Sequence, residues 1–230
     1  MSNRRLLIWR HGRTEWNATG RMQGQSDVAL DETGVRQAHE AAPLLAGEQP
    51  SAIYSSDLAR ARDTAEILAQ LVRLPVVLDA RLRETYFGPW QGLTSAQIAE
   101  QYPEEYALWT QGQPFSVEGA ERHAEVVERM LAGIDAALDA TESTLVVVTH
   151  GAAARRAVGA LLGWPDDVIS KLGPLGNCRW SELRPTPAGW RLHAHNIGPL
   201  AGAAGPHVPA AAADVEPTPA EYLAPAPTRR

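Results

Sequence analysis

The chain is 230 residues long and 44% hydrophobic, enough for one large α/β domain with a sizeable core. Its formal net charge of −6 argues against a nucleic-acid surface, which draws on basic domains, but leaves room for a local arginine pocket around a small anion. No stretch reaches the roughly 20 apolar residues of a membrane span, and the lone cysteine, Cys178, cannot form an internal disulfide, as suits a reducing compartment.

In chain order, the first element is a strand at 5–9, "RLLIW", ending in Arg10-His11-Gly12. The charged start "MSNRR" precedes an apolar run of only Leu6 to Trp9, too short for a secretory signal, so a cytoplasmic protein is expected. A helix follows at 34–47, with Thr33 as its cap, Pro43 as a kink and Gly47 as its stop. A strand at 51–55, a helix at 57–72 capped by Ser56 and a strand at 75–79 come next. "RLRETYFGPWQGLT" (81–94) reads as an ordered loop that carries Glu84 at a strand end. A long helix spans about 120–140, with Ala124, Val127, Leu131, Ile134 and Leu138 as its apolar stripe. The strand "TLVVVT" (144–149) leads into a helix at 151–163, and a pair of strands at 177–185 and 189–197 extends one edge. The four early strands are near-continuous apolar runs, which predicts cover on both faces. The order predicts an α/β fold: three layers, with a mostly parallel central sheet and helices on both faces. One domain over 1–200 is expected, then a disordered tail at 201–230, where six prolines fall in thirty residues with little to bury.

Ligands of a parallel sheet collect where strands end and helix N-termini begin. His11 follows the first strand as "WRHG" and His150 the fourth as "VTHG". One such histidine is most often a loop or core residue; the pattern met twice points to a shared site. Each glycine permits a tight turn and close backbone approach. Arg10 adjoins His11, and Arg60 lies about one turn into the helix after the second strand. A guanidinium offers a rigid donor fork suited to phosphate oxygens. Taken singly, Arg60 reads as a solvated helix face and Glu84 as a surface carboxylate. No cluster of carboxylates, histidines or cysteines has metal-ligand spacing.

Five motifs, "RHGRTEWN", "GRMQGQSDVALDETGVRQA", "YSSDLARARDTAE", "RETYFGPWQGL" and "VVTHG", appear in the order seen in the histidine phosphatase (phosphoglycerate-mutase-like) superfamily, and the likeness covers residues 4 to 197. Within it, "RMQGQ", "RLRET..G.WQGLT.AQI" and "GN..W" resemble the bacterial glucosyl-3-phosphoglycerate phosphatases. The resemblance implies that His11 is a nucleophile that forms a phosphohistidine, dividing hydrolysis into two displacements. It implies that Arg10, Arg60 and His150 hold the equatorial phosphoryl oxygens, and that Glu84 protonates the leaving alkoxide and then activates water. Asn17 and Gln23 match polar positions of the family's pocket, and Gly151 could offer a backbone N–H. The implied enzyme is a metal-independent phosphomonoesterase without a cofactor. Its implied partner is a small phosphorylated metabolite, with glucosyl-3-phosphoglycerate foremost; the family also makes a homodimer plausible.

Two positions depart from the family pattern. Arg13 stands where relatives usually carry glutamine or glutamate, adding positive charge near the pocket mouth, and Arg122 replaces the serine of a Gly-Glu-Ser run, with Glu121 kept. Arg13 and Arg83 are the expected contacts for a second anionic group. Trp16, Tyr86 and Trp90 are candidate stacking partners for a sugar, with core packing the alternative for the tryptophans. Three other readings are a cofactor-dependent phosphoglycerate mutase, a broad-specificity metabolite phosphatase and a non-catalytic phosphate-binding protein. The 65 residues between Glu84 and His150 are too few for the mutases' longer insert, and no catalytic position is lost, as it usually is in a pseudo-enzyme.

Overall fold

The computed structural model describes residues 4–111 and 116–199; the tail expected at 201–230 lies outside the described residues. Strand β1 (Arg5–Arg10) leads through a short helix α1 (Glu15–Ala18) to α2 (Glu32–Gly47), β2 (Pro50–Ser55), α3 (Ala59–Val72) and β3 (Val76–Leu78). Two small helices, α4 (Ser95–Gln101) and α5 (Pro103–Thr110), precede the long α6 (His123–Asp139). Then come β4 (Thr144–Thr149), α7 (Gly151–Leu161), α8 (Asp166–Ile169) and the hairpin of β5 (Trp180–Thr186) and β6 (Gly189–Ile197). The sheet order is β3-β2-β4-β1-β5-β6, parallel from β3 to β1 and antiparallel across β5 and β6.

Side chains alternate across β1, and this alternation builds the three layers. Leu6 and Ile8 join Leu145 and Val147 against Val126, Met130 and Ile134 of α6 and Ala153 and Val158 of α7. Leu7 and Trp9 join Val146 and Val148 against Ala38, Ala41 and Leu45 of α2 and Ala61, Ala65 and Leu68 of α3. Each large apolar side chain so buried contributes about 1.5–3 kcal/mol. A third cluster, around Met22, Trp90, Ile98 and Trp109, fixes α4 and α5 beside the sheet.

Cover on both faces holds for β1 and β4 but not for every strand. Val77 and Leu78 of β3 are 42% and 47% exposed, because β3 is an edge, and a continuous apolar run does not separate centre from edge. In α6 the buried stripe is Val126, Met130, Gly133, Ile134, Ala137 and Leu138, rotated from the expected one, with Ala124 exposed. Pro43 lies on the solvent face of α2, which runs on through it, and the cap is Asp31, whose carboxylate accepts from Gly34 N, rather than Thr33. Ser56 does not cap α3, which begins at Ala59; Asp27 accepts from Ala59 N instead, at 2.7 Å. Ser56 is engaged elsewhere.

Candidate active site

The β1–β4 register aligns Arg10 with Thr149, so the next residue of each strand, His11 and His150, leaves the sheet rim beside the other. Their ring centroids are 5.1 Å apart at 58°. His11 Nδ1 lies 2.7 Å from the Gly12 carbonyl oxygen. That oxygen can only accept, so Nδ1 carries the hydrogen and the neutral ring keeps an unprotonated Nε2. Burial, then the charges of Arg60 and Arg10, push the His11 pKa well below the usual histidine range, against the opposing pull of the Gly12 carbonyl. Gly12 is required by packing: a Cβ there would sit 2.5 Å from the backbone oxygen of Gly34. Gly151, the first residue of α7, meets no such obstacle, its nearest neighbour being the Arg10 guanidinium at 3.5 Å.

Arg60 is fully buried, and three acceptors hold its guanidinium: the Ser26 and Gly24 carbonyls, both at 2.7 Å, and His150 Nδ1 at 3.2 Å. Burial lowers its pKa to about 10, partly opposed by Glu84 and Asp27, so it stays cationic at neutral pH. Because Arg60 donates to Nδ1, the hydrogen of neutral His150 is on Nε2, 2.8 Å from Ser56 Oγ. Burial, then the Arg60 charge, lowers the His150 pKa well below its usual range. Arg10 Nη1 donates to the Leu175 carbonyl at 2.6 Å.

Glu84 faces the N-terminus of α7. Its Oε1 accepts from Ala153 N at 2.9 Å and Thr85 N at 2.8 Å, and its Oε2 from Ala152 N at 3.1 Å. The cleft is lined by Arg10, His11, Gln23, Arg60, Glu84 and Gly151 from the expected set. Gln23 accepts from Thr14 Oγ1 through Oε1, which turns its amide donors to other partners. His150 sits behind this lining, completely buried.

Other expected residues do not line this cleft. Asn17 completes the α1 capping box with Thr14 and accepts from Asn177. Arg13 is not part of the cleft wall: its Nε donates to Asp31 at 2.8 Å. Arg83 grips Asp57 with two bonds of 2.7 and 2.6 Å. Arg122 points outward to Glu125 at the start of α6. Trp90 is core, Tyr86 is exposed and Trp16 lies against Gly92. In their place the wall holds Arg21, Arg155, Phe87 and Trp109. Sequence reasoning missed Ser56 although it follows a strand as the histidines do, and Arg155 although it lies just over a turn beyond His150. Phe87 and Trp109 come from separate segments and carry no comparable signal. Among the described residues, no group of three or more His, Cys, Asp or Glu could hold a metal ion, and no helix is long and apolar enough to cross a membrane.

Comparison with known proteins places this geometry among relatives. The model of the histidine phosphatase superfamily (branch 1) matches residues 6–198. The chain is 40% identical over 192 residues to the glucosyl-3-phosphoglycerate phosphatase of Mycobacterium tuberculosis, covering 80% of this chain and 86% of that one. It is 37% identical over 191 residues, 80% and 86% of the two chains, to a Yersinia pestis protein named "Probable phosphoglycerate mutase GpmB". The solved structure of mycobacterial glucosyl-3-phosphoglycerate phosphatase complexed with VO3 superposes with a TM-score of 0.79 at 38% identity, over 85% of this chain and 100% of that one.

Proposed function

The chain belongs to the histidine phosphatase superfamily, and on that premise we propose that residues 1–200 form a metal-independent phosphomonoesterase acting through a phosphohistidine on His11. The observation that carries this reading is the state of His11: Nδ1 is tied to the Gly12 carbonyl, the ring is held neutral, and Arg10 and Arg60 share its cleft. An unprotonated Nε2 attacks phosphorus while the two guanidiniums offset charge on the equatorial oxygens, which is most of what phosphoryl transfer asks of a protein. The His150 Nε2–H, which faces Ser56 here, is the donor that ring would turn to a phosphoryl oxygen. Gln23 supplies amide donors to the cleft, and Gly151 a backbone N–H at the start of α7. Glu84, on the same cleft, protonates the leaving oxygen and then takes a proton from the attacking water. Arginines thus fill the place of a cation.

The substrate we assign is glucosyl-3-phosphoglycerate or a related small phosphorylated metabolite. The names of the relatives support it, and so does a wall that combines Arg21 and Arg155, suited to a carboxylate, with the partly exposed ring of Phe87, suited to a sugar, beside the edge of the largely buried Trp109. The reading extends to a cytoplasmic enzyme, with a net charge of −6 that suits neither nucleic acid nor anionic membrane. It extends also to a homodimer, for which exposed β3 offers an edge. The test is turnover on glucosyl-3-phosphoglycerate, 3-phosphoglycerate, mannosyl-3-phosphoglycerate and glucose 6-phosphate, before and after exhaustive chelation. We expect phosphate release with the highest kcat/KM for the glucosyl compound, undiminished by EDTA. Equal or better use of glucose 6-phosphate defeats the substrate, isomerisation of 3-phosphoglycerate without phosphate release defeats the hydrolase, and loss restored by magnesium or zinc defeats metal independence.

A further inference from the structure

The loop bearing Glu84 is grasped from beneath by one ion pair. Arg129, on α6, donates from Nη1 to the carbonyls of Arg81 at 2.9 Å and Arg83 at 2.6 Å. Its Nη2 donates to the Glu84 carbonyl and to Glu121 Oε2, both at 2.8 Å, and its Nε donates to Glu121 Oε1 at 2.7 Å. Glu121 Oε2 in turn accepts from Tyr86 N at 2.7 Å and from Gln25 Nε2 at 3.4 Å, and that same Gln25 nitrogen donates to the Glu84 carbonyl at 3.0 Å. Four backbone groups within residues 81–86 are therefore held by a single arginine–glutamate pair, with side chains only 18% and 21% exposed. Burial alone would raise the Glu121 pKa, but the Arg129 and Tyr86 hydrogen bonds overcome it and keep the carboxylate charged. Neither side chain lines the cleft.

We propose that Arg129 and Glu121 are positioning residues for the acid–base step, fixing the backbone of residues 83–86 and so the place of the Glu84 carboxylate relative to the leaving oxygen. This rests on the reading of Glu84 as the acid–base residue. A positioning role has a signature that plain structural support lacks. Displacing an acid hurts only substrates whose leaving group needs a proton, and it spares the phosphoryl cradle. A misplacement of about 1 Å is enough to cost about 100-fold.

The test compares kcat/KM, which reports phosphoryl transfer to the enzyme, for glucosyl-3-phosphoglycerate and for p-nitrophenyl phosphate, whose leaving group needs little protonation. The variants are Arg129→Gln, Glu121→Gln and, as the milder change should the first fail to fold, Arg129→Lys, with Glu84→Gln measured beside them. We expect each clamp variant to lose about 10- to 100-fold on the alkyl substrate and no more than about threefold on the aryl one, with inhibition by inorganic phosphate unchanged. Should Glu84→Gln show this split while the clamp variants lose both substrates alike, the acid–base reading stands and the positioning role is overturned. Should Glu84→Gln itself lose both alike, the acid–base reading falls and the proposal falls with it.

Discussion

The two sides of the cleft are built by different means. On the phosphoryl side, Arg10, His11, His150 and Gly151 sit at or within two residues of the ends of β1 and β4, and the parallel register of those strands sets their spacing. On the leaving-group side, Glu84, Phe87, Trp109 and Arg21 come from loops and a small helix, held by the Arg129–Glu121 pair and an aromatic cluster. The first side borrows the rigidity of the most buried strands in the molecule; the second depends on side-chain contacts that sequence change can re-make. On the proposed reading, reaction chemistry resides in the sheet, and substrate choice in the loops.

The sharpest break of this contrast is to remove His11, the proposed nucleophile. His11→Gln should reduce turnover to about a thousandth or less of the parent value. Its melting temperature at pH 8 should stay within a few degrees, because the sheet beneath does not depend on the imidazole. Rapid quench with labelled substrate should trap an acid-labile, base-stable phosphoenzyme in the parent and none in the variant. A variant that turns over normally would show that the strand-end frame does not carry the chemistry.

The same contrast explains what could be read from the sequence. The strand-His-Gly pattern is legible because β1 and β4 pair in register, so that two local signals become one site. Arg60 is legible only as one turn after a strand, yet its carbonyl partners at Gly24 and Ser26 are set by a loop that no periodicity encodes. The leaving-group side is less legible. Arg13 and Arg83 are cations near the right motifs, but charge near a motif says nothing of its partner, and Asp31 and Asp57 claim them. Trp90 has the composition of a stacking platform and is spent in the core. The stripe on α6 shares Ile134 and Leu138 with the buried face but is rotated from it for a related reason: the partner surface, not the helix's own pattern, selects Met130 over Leu131.

A second prediction probes how tightly the buried side holds its histidines neutral. The pKa values of His11 and His150 are depressed in the folded state relative to an unfolded value of about 6.5. A histidine with a depressed folded pKa contributes stability that is fully present above the unfolded value and is lost as pH falls below it. The slope approaches about 1.4 kcal/mol per pH unit for each such group. Melting temperature should therefore fall on acidification from pH 7 to pH 5, and His11→Gln should fall less steeply. Asp57 and Asp79, whose pKa values are lowered by their arginine partners, stay ionised through this window and do not contribute. Parallel curves for parent and variant would mean that His11 is not held neutral in the fold.

The smallest effects should come from the arginines, and they separate a cleft wall from its surroundings. Arg21 and Arg155 line the cleft, whereas Arg13 and Arg83 are tied to carboxylates outside it. A charged hydrogen bond to a substrate carboxylate is worth roughly 1.5–3 kcal/mol when buried and less at an open rim. Arg155, only 6% exposed, lies nearer the first case, and Arg21 nearer the second. Arg155→Gln should raise KM for glucosyl-3-phosphoglycerate about tenfold and Arg21→Gln about threefold, with p-nitrophenyl phosphate nearly unaffected because it has no carboxylate to lose. Arg13→Gln should leave both substrates unchanged, since Arg13 is tied to Asp31 in a partly buried ion pair and does not line the cleft. Arg83→Gln should behave likewise toward KM, with any loss appearing as lowered stability through Asp57. If Arg13→Gln raised KM for the carboxylate-bearing substrate as much as Arg155→Gln, the second anion would bind at the mouth by Arg13. The leaving-group wall would then have to be redrawn around α1.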